Sequence, residues 1–457
     1  MKRILLTAIL SVAIFVASAV TPKYIFLIIG DGMGMGHVMA TESYNRNVLK
    51  SSEPLLMMQF PVNSMAMTFS ANRKVTDSAA AGTALAAGVK TNNYVIGLDA
   101  EGKPVTSVAT ELKAKYGFGV AMVTSVAYDD ATPATHYAHR GDRGMFEGIN
   151  YDGARCDFDF IAGAGSHQDE RDKEVTKRLF KDYEDHGYSL VRGVKNLKDA
   201  KTDKILLISD KPYKPNEIGY TIDSIPGATT LAQFTKAGID HLMRVSPNGF
   251  YMMIEGGNID HAGHSNDGGA VVKEILNFQQ SIKLAYDFYK EHPEETLIVI
   301  TADHDTGGMT MGVLGGSKEQ QLQYIDYQKI SKERFNDFCV EHRNFTWEQM
   351  KHALSEMLGF FTKIEITVDE EEALKEEYAK MQAKKDQTVK TLYKEYKTFA
   401  AKVFDIQNHK IGFGFTTFSH TGGFVPVYAV GVGSERFHGL NNNIDIPNVM
   451  RELTGLK

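Results

Sequence analysis

Short apolar runs recur along this 457-residue chain and alternate with stretches that carry helical signals. The first run covers residues 22–29 (Pro-Lys-Tyr-Ile-Phe-Leu-Ile-Ile), and similar runs lie at 119–123, 250–254 and 296–301. An uninterrupted apolar run is typical of a strand that is buried on both faces. Because strands that alternate with helices form parallel sheets, the sequence predicts a three-layer α/β fold, with helices on both faces of a mostly parallel central sheet.

Polar residues stand close behind several of these predicted strands. Open α/β sheets bind their ligands at the carboxyl ends of the strands, so we expect these side chains at one edge of the sheet. Each of them alone could be a turn or capping residue, whereas their combination indicates a binding site. The candidates are Asp31, Thr132, Glu255, Asp260, His264, Asp303, His304 and His420.

Aspartate and histidine together favour zinc in this set. Zn²⁺ accepts both imidazole and carboxylate ligands in tetrahedral sites. Asp260 and His264 are four residues apart and can converge on one ion, while Asp303 and His304 offer a second oxygen and nitrogen pair. Two zinc ions roughly 4 Å apart are a known arrangement for phosphoryl transfer, because one activates the attacking oxygen and the other the leaving oxygen.

Thr132 and Glu255 differ from the other candidates because they offer only oxygen atoms. Oxygen ligands suit a harder ion such as Mg²⁺. The sequence therefore predicts a third metal position beside the two zinc positions.

Ser78 lies in the run Val-Thr-Asp-Ser-Ala-Ala-Ala-Gly-Thr-Ala at residues 75–84. The small residues after it predict a tightly packed helix, and the N-terminus of a helix favours an anion. Ser78 can therefore be the N-cap of this helix, or it can be a nucleophile that attacks phosphorus. Metal ligands elsewhere in the chain favour the nucleophile, because a bound metal lowers the pKa of water from 15.7 to about 7 and should act on a hydroxyl in the same direction.

Phosphoryl transfer also requires a cation that binds the non-bridging phosphate oxygens. Arginine is well suited because its planar guanidinium can bind two oxygens at once. Arg143 is the candidate, and Asp77 could hold it in place. Arg140 is the rival.

Taken together, these motifs resemble those of the alkaline phosphatases. The run around Ser78 is similar to the nucleophile signature of that family. The segments Gly-Asp-Gly-Met-Gly, Asp-Ala-Thr-Pro, Glu-Gly-Gly-Asn-Ile-Asp-His-Ala-Gly-His, Thr-Ala-Asp-His and Ser-His-Thr-Gly-Gly match its metal motifs in the same order, between about residues 22 and 450. Six ordered motifs are far more specific than any one of them. The resemblance implies that the chain hydrolyses small phosphate monoesters at alkaline pH, as a homodimer.

The resemblance also implies a role for individual residues. Ser78 would form a covalent phosphoserine, and Arg143 would bind the phosphate. The implied metal ligands are Asp260, His264 and His420 for a first Zn²⁺, Asp31, Asp303 and His304 for a second Zn²⁺, and Asp31, Thr132 and Glu255 for Mg²⁺.

Asp130 and His261, which flank the third metal and the phosphate, depart from the best-known relatives. The best-known bacterial enzyme has Asp and Lys at these positions, and the mammalian enzymes have two His. The mixed pair leaves the identity of the third metal open. We expect a neutral imidazole at His261 to hold product phosphate less tightly than a lysine would, and therefore to release it faster.

Other functions are compatible with parts of this pattern. Sulfatases of the same superfamily require Cys/Ser-x-Pro-x-Arg, whereas Ala-Ala-Ala-Gly follows Ser78. Phosphodiesterases often use a threonine nucleophile and lack a counterpart of Arg143, so diesterase activity is expected to be secondary. A non-catalytic phosphate- or metal-binding protein would be favoured by a missing ligand, and none is missing. The formal charge of −7 and the lack of a basic patch argue against nucleic acid as a partner.

Residues 1–19 have the pattern of a signal peptide: two cations, a mostly apolar run at 4–15, and Ala-Ser-Ala at 17–19. Export to a periplasm or to the medium is expected, and an uncleaved membrane anchor is the alternative. Residues 20–457 are predicted to form one catalytic domain with a helical insertion at about 315–410. The sequence leaves open whether this insertion is a surface decoration, a lid or a dimer contact. It also leaves open whether Cys156 and Cys339 form a disulfide.

Overall fold

The computed structural model describes residues 21–214, 216–316, 318–383, 399–439 and 442–456. The predicted signal peptide at 1–19 lies outside the described residues. Over the described ranges, no helix combines the length and the apolar character needed to cross a membrane.

Short strands and helices alternate along most of the chain. The strands are β1 (Tyr24–Ile29), β2 (Val62–Ala66), β3 (Gly119–Thr124), β4 (Phe160–Gly163), β5 (Tyr188–Arg192), β6 (Lys204–Ile208), β7 (Phe250–Glu255), β8 (Thr296–Thr301), β9 (Asp305–Thr306), β10 (Thr310–Met311), β11 (Phe413–Gly414), β12 (His420–Thr421) and β13 (Val425–Gly431). The α-helices are α1 (Met35–Asn47), α2 (Ser78–Ala87), α3 (Val108–Tyr116), α4 (Ala131–Ala134), α5 (Phe146–Arg155), α6 (Gln168–Arg171), α7 (Lys173–Asp185), α8 (Leu231–Val245), α9 (Asn258–His264), α10 (Gly268–Glu291), α11 (Lys332–Glu341), α12 (Trp347–Leu358), α13 (Val368–Ala383), α14 (Phe399–Ile411) and α15 (Asp445–Thr454).

Nine of the strands in the described ranges form one sheet, in the order β2-β13-β8-β1-β7-β3-β4-β6-β5. Every pairing is parallel except those of β13, which runs antiparallel to β8 and to β2. Helices flank the sheet: α8 packs on β3, β4 and β7, and α10 packs on β8. The structure thus confirms the predicted α/β fold with a mostly parallel sheet.

The four central strands β8, β1, β7 and β3 are buried along their whole length, as their apolar sequences predict. Their carboxyl ends also lie in register. Ile29 pairs with Glu255 on one side and with Thr301 on the other, and Glu255 pairs with Thr124. The segments that leave these four strands therefore start side by side at one edge of the sheet, where the predicted site residues lie.

Helices α11 to α14 pack around an apolar cluster that is separate from the one surrounding the sheet. Phe335, Leu354 and Phe404 are among its fully buried members. We call this group of helices the helical subdomain. It falls within the predicted helical insertion, of which residues 384–398 lie outside the described residues.

Both cysteines are free thiols in the structure. Cys156 is half-buried, and Cys339 is buried in the helical subdomain. Of the two alternatives that the sequence left open, the structure therefore has the pair of thiols.

Candidate active site

Ser78 is the first residue of helix α2 and is buried, with 3% of its surface exposed. The N-cap of the helix is Asp77, whose Oδ1 accepts a hydrogen bond from the backbone amide of Ala80 at 3.1 Å. Ser78 is therefore not the cap, and its hydroxyl is available for other contacts. Its Oγ lies 3.1 Å from Nε2 of His304.

Asp31 follows β1 in a turn that only glycine can make. Gly32 has a φ of +70°, and a Cβ atom there would lie 2.8 Å from Oδ1 of Asp260. The amide of Gly32 also donates a hydrogen bond to Oδ1 of Asp303 at 3.1 Å. The absence of a side chain at Gly32 thus lets the carboxylates of Asp31, Asp260 and Asp303 approach one another.

Asp31, Asp303 and His304 form a compact buried group that could hold one metal ion, with ligand atoms within 4.8 Å of one another. Nε2 of His304 lies 3.1 Å from Oδ2 of Asp303 and 3.5 Å from Oδ1 of Asp31. This nitrogen is also the one that contacts Ser78. The group is therefore directly adjacent to the serine hydroxyl.

Asp260, His264 and His420 form a second group. Nε2 of His264 lies 3.1 Å from Nε2 of His420 and 3.4 Å from Oδ2 of Asp260, and the His420 and Asp260 side chains approach to 3.9 Å. Asp260 and His264 come from successive turns of α9, while His420 is brought in by the pairing of β12 with β9. The His420 ring stacks on His304 with 3.6 Å between ring centroids, so the two groups adjoin.

Both histidines of the second group are oriented by backbone carbonyls. Nδ1 of His264 donates to the carbonyl of Phe418 at 2.7 Å, and Nδ1 of His420 donates to that of Thr76 at 2.8 Å. A hydrogen bond at one ring nitrogen fixes the tautomer and leaves the other nitrogen as the metal ligand. Both Nε2 atoms are therefore prepared to bind the same ion.

Glu255 is the last residue of β7, and Thr132 lies in helix α4. Oε2 of Glu255 accepts a hydrogen bond from Thr124 at 2.5 Å, whereas Oε1 of Glu255 and Oδ1 of Asp31 are buried and have no hydrogen-bond partner among the described residues. Burial and the carboxylates of Asp303 and Asp260 raise the pKa of Asp31 well above its ordinary value. Burial and the charge of Asp130 raise the pKa of Glu255 to about 8.

Crowded, buried carboxylates of this kind are normally paired with cations. The donor set fits the predicted ions: two mixed carboxylate and imidazole groups suit Zn²⁺, and the oxygen-only pair suits Mg²⁺. The residues present are therefore compatible with three metal positions.

Arg143 lies between two carboxylates, those of Asp77 and Asp130. Its Nη1 is 3.3 Å from Oδ2 of Asp77, and its Nη2 is 3.0 Å from Oδ1 of Asp130. Arg140 instead binds Asp152, with 2.6 Å between Nη2 and Oδ1, and the carbonyl of Gly148. Of the two arginines that the sequence offered, Arg143 is the one that contacts the carboxylate next to Ser78.

Comparison with known proteins identifies the family. The family model described as "Alkaline phosphatase" matches residues 22–158 and 153–456. The chain belongs to the alkaline phosphatase family. It is a phosphatase of a metal-dependent family, as the sequence motifs predicted.

Curated members of the family match over most of the chain. The chain is 31% identical to alkaline phosphatase 4 of Bacillus subtilis over 439 residues, which cover 94% of this chain and 88% of that protein. It is also 31% identical to alkaline phosphatase 3 of the same organism, over 94% of this chain and 89% of that protein.

Solved structures of alkaline phosphatases have the same fold. The cold-active enzyme from the psychrophile Shewanella sp. is 26% identical and gives a TM-score of 0.80, over 94% of this chain and 99% of that one. The enzyme from the Antarctic bacterium TAB5 is 25% identical and gives a TM-score of 0.66, over 96% and 99% of the two chains.

Two residues that the sequence analysis did not identify also contact members of this candidate site. Oε2 of Glu217 lies 2.9 Å from Nδ1 of His261, and Nε2 of His167 lies 3.0 Å from Oδ2 of Asp130. Neither stands in a motif or directly after an apolar run, so the sequence offered no signal for them.

Glu217 and His167 affect the charges of His261 and Asp130, the two positions that differ from the best-known relatives. Burial opposes charge on His261, but the hydrogen bond to Glu217 and the negative charges of Glu217, Asp260 and Asp130 together outweigh it and raise the pKa of His261 to about 9. Burial would likewise raise the pKa of Asp130, yet His167 and Arg143 hold it well below its usual range. A pKa raised in this way favours a charged imidazole at neutral pH, whereas the sequence, which did not reveal the buried carboxylate of Glu217, predicted a neutral one.

Proposed function

We propose that this phosphatase hydrolyses phosphate monoesters to an alcohol and inorganic phosphate through a covalent phosphoserine on Ser78, with two Zn²⁺ and one Mg²⁺ and an alkaline optimum. Membership of the family supports phosphomonoester hydrolysis. The observation that supports the serine intermediate is the position of the Ser78 hydroxyl. This hydroxyl does not cap helix α2, is buried, and lies 3.1 Å from Nε2 of His304.

The proposed ligands follow the three groups described above. Asp31, Asp303 and His304 would hold the zinc nearest Ser78, and Asp260, His264 and His420 would hold the other. When bound, these ions would lower the pKa of the serine hydroxyl and of a water molecule and would stabilise the leaving oxygen.

Asp31, Thr132 and Glu255 would hold Mg²⁺ at the third position. A variant of the TAB5 alkaline phosphatase has been solved with Mg bound in its M3 site, and this chain is 25% identical to it. That precedent and the oxygen-only pair of Thr132 and Glu255 support magnesium here.

The reaction would proceed in two displacements at phosphorus. Ser78 Oγ loses its proton and forms a bond to phosphorus, while the bond from phosphorus to the alkoxide oxygen breaks and the alkoxide takes up a proton. A water molecule then loses a proton and forms a bond to phosphorus, while the bond between phosphorus and Oγ breaks and Oγ takes up a proton, which releases inorganic phosphate and restores Ser78. Arg143 would donate hydrogen bonds to non-bridging oxygens, and the amides at the start of α2 would favour the negative charge.

Several features of the whole protein are also part of this proposal. Residues 1–19 would direct export to a periplasm or to the medium, residues 20–457 would form the catalytic domain, and the enzyme would act as a homodimer on small phosphomonoesters. The region at about 315–410 would be an insertion in that domain.

The test is hydrolysis of a chromogenic aryl phosphate at alkaline pH by the purified mature protein, with chelator and with Zn²⁺ and Mg²⁺ added back. We expect the Ser78→Ala variant to lose roughly a thousandfold or more in kcat, because nucleophile removal has effects of this size or larger. Mass spectrometry of acid-quenched protein should locate phosphate on the Ser78 peptide.

The matched control is Ser107→Ala, which removes the N-cap of α3. This variant should lose about 1 kcal/mol of stability and keep its activity, the reverse of what Ser78→Ala should show. Turnover of an aryl diester but not of the monoester would move the chain to a phosphodiesterase. Bound zinc without turnover of any ester would favour a binding protein.

A further inference from the structure

A short polar segment, hereafter the bridging segment, contacts two histidines at the proposed phosphate site. Glu217 accepts a hydrogen bond from Nδ1 of His261 at 2.9 Å, and Asn216 Nδ2 lies 3.3 Å from Nδ1 of His167. His167 in turn binds Asp130, which holds Arg143. The bridging segment comprises Tyr213, Lys214, Asn216 and Glu217.

The other side of the bridging segment contacts helix α11 of the helical subdomain. Nζ of Lys214 forms an ion pair with Oε1 of Glu333 and lies 3.7 Å from Oε1 of Glu217. The hydroxyl of Tyr213 donates a hydrogen bond to Oδ2 of Asp337 at 2.6 Å. Glu333 and Asp337 are four residues apart and therefore lie on one face of the helix.

The start of α11 is itself fixed to the core. Ser331 donates two hydrogen bonds to the buried carboxylate of Asp223, from its amide at 2.7 Å and from its hydroxyl at 2.8 Å. The amide of Lys332 donates to Oδ2 of Asp267 at 2.7 Å. Because these contacts hold the first turn of α11 in place, Glu333 is a defined support for the bridging segment rather than a mobile surface acid.

We propose that α11 positions His261 and His167 through the bridging segment, and thereby sets the affinity of the site for phosphate. Glu333 and Asp337 are positioning residues in this arrangement, and Glu217 is the contact through which Glu333 acts. The inference rests on the proposed function, in which phosphate binds beside Arg143. It assigns a role to the part of the chain whose purpose the sequence left open.

The physical basis is the orientation of the imidazole rings. A hydrogen bond from Nδ1 to a buried carboxylate fixes the ring plane of His261, and this also fixes the direction of Nε2. Loss of a single supporting contact can move a group by a fraction of an ångström, and small misplacements at a reacting centre have large effects on rate.

The experiment compares Glu217→Ala, Glu217→Gln, Glu333→Ala and the double variant Glu217→Ala/Glu333→Ala in the metal-loaded protein. The control is Glu341→Ala, which removes an exposed acid from the C-terminal end of the same helix. Calorimetry measures the Kd of inorganic phosphate, aryl phosphate hydrolysis gives KM and kcat, and thermal unfolding gives Tm.

We expect Glu217→Ala and Glu333→Ala to weaken phosphate binding by roughly tenfold, within the range seen when groups that support metal-site ligands are removed. Glu217→Gln should keep most of the affinity, because its amide oxygen can still accept the hydrogen bond from His261. The double variant should bind phosphate no more weakly than Glu217→Ala alone, since residues of one network are not additive. Glu341→Ala should bind phosphate like the parent protein.

An unchanged phosphate Kd in Glu333→Ala would overturn the inference, as would a loss equal to that of Glu341→Ala. A lower Tm with unchanged Kd and KM would also overturn it, because that result describes a purely structural contact. If the parent protein binds phosphate but hydrolyses no monoester, the proposed function fails, and the Kd values still decide the inference.

Discussion

Oδ2 of Asp77 lies 3.3 Å from Nη1 of Arg143, while Oδ1 of the same carboxylate accepts the amide hydrogen of Ala80 and that of Tyr94. One side chain thus fixes the start of the helix that carries Ser78 and one end of the guanidinium proposed to bind phosphate. The same side chain therefore positions both the proposed nucleophile, Ser78, and the arginine proposed to bind phosphate, Arg143.

Substitutions of Asp77 should separate these two tasks. Asp77→Asn keeps an oxygen for the cap but presents an amide to Arg143, so we expect weaker phosphate binding with little change in Tm. Asp77→Ala removes the cap as well, and should additionally lose about 0.5–2 kcal/mol of stability. Phosphate inhibition constants and thermal unfolding of the two variants check this. Equal loss of stability in both would contradict it.

The two arginines of this region should behave differently. Arg143→Ala should weaken inhibition by inorganic phosphate roughly 10- to 100-fold, because hydrogen bonds to charged groups are worth about 1.5–3 kcal/mol. Arg140→Ala removes a partner of Asp152 and serves as the control. It should lower Tm and leave phosphate inhibition unchanged. The reverse pattern would show that Arg140 is the phosphate ligand.

The residues that sequence reasoning placed at the sheet edge are those that follow an apolar strand closely. Asp31, Glu255 and Asp303 stand at or just beyond the ends of β1, β7 and β8. Once those strands are parallel and in register, geometry alone brings the three carboxylates together. The direction of a strand was harder to predict from the sequence, because a buried apolar strand such as β13 has the same pattern whether it runs parallel or antiparallel to its neighbours.

Glu217 and His167 show why part of the site could not be predicted. Their partners, His261 and Asp130, are 44 and 37 residues away in the chain. Both come from irregular segments, where no periodicity fixes the direction of a side chain. The cap of α2 was ambiguous for a different reason: Asp77 and Ser78 are both good N-cap residues, and only the structure shows which one caps the helix.

The third metal position can be tested separately from the zinc positions. Thr132→Val removes a hydroxyl while it nearly preserves the shape of the side chain. We expect elemental analysis to find magnesium lost and both zinc ions retained. Thr135→Val is the control, because its buried hydroxyl donates to the carbonyl of Thr132 and lies outside the proposed ligand set. Loss of zinc in Thr132→Val would contradict the assignment of ligands.

Glu274 should make stability depend on pH. It lies in α10 and accepts a hydrogen bond from the amide of Thr221 at 2.6 Å. Burial raises its pKa from 4.5 to about 7, so the folded protein binds this proton more tightly than the unfolded chain. Its contribution to stability is therefore complete below pH 4.5 and is lost as the pH rises through about 7.

The Glu274→Gln variant should remove this dependence. Relative to the variant, the parent protein should lose up to about 1.4 kcal/mol of unfolding free energy per pH unit across that window. Denaturant unfolding of both proteins between pH 4.5 and 8 measures the difference, with the exposed Glu291→Gln as the control on the same helix. A difference that stays constant with pH would contradict the burial argument.

The helical subdomain has its own apolar cluster and is joined to the rest of the protein by hydrogen bonds such as those of Ser331 with Asp223. A module built in this way can lengthen, shrink or be exchanged during evolution without repacking the interior of the sheet. What a replacement must reproduce is small: an anchored first turn and two acids one turn apart. If Glu333 and Asp337 act as proposed, the outer helices could differ between relatives as long as this anchored turn and its two acids are kept.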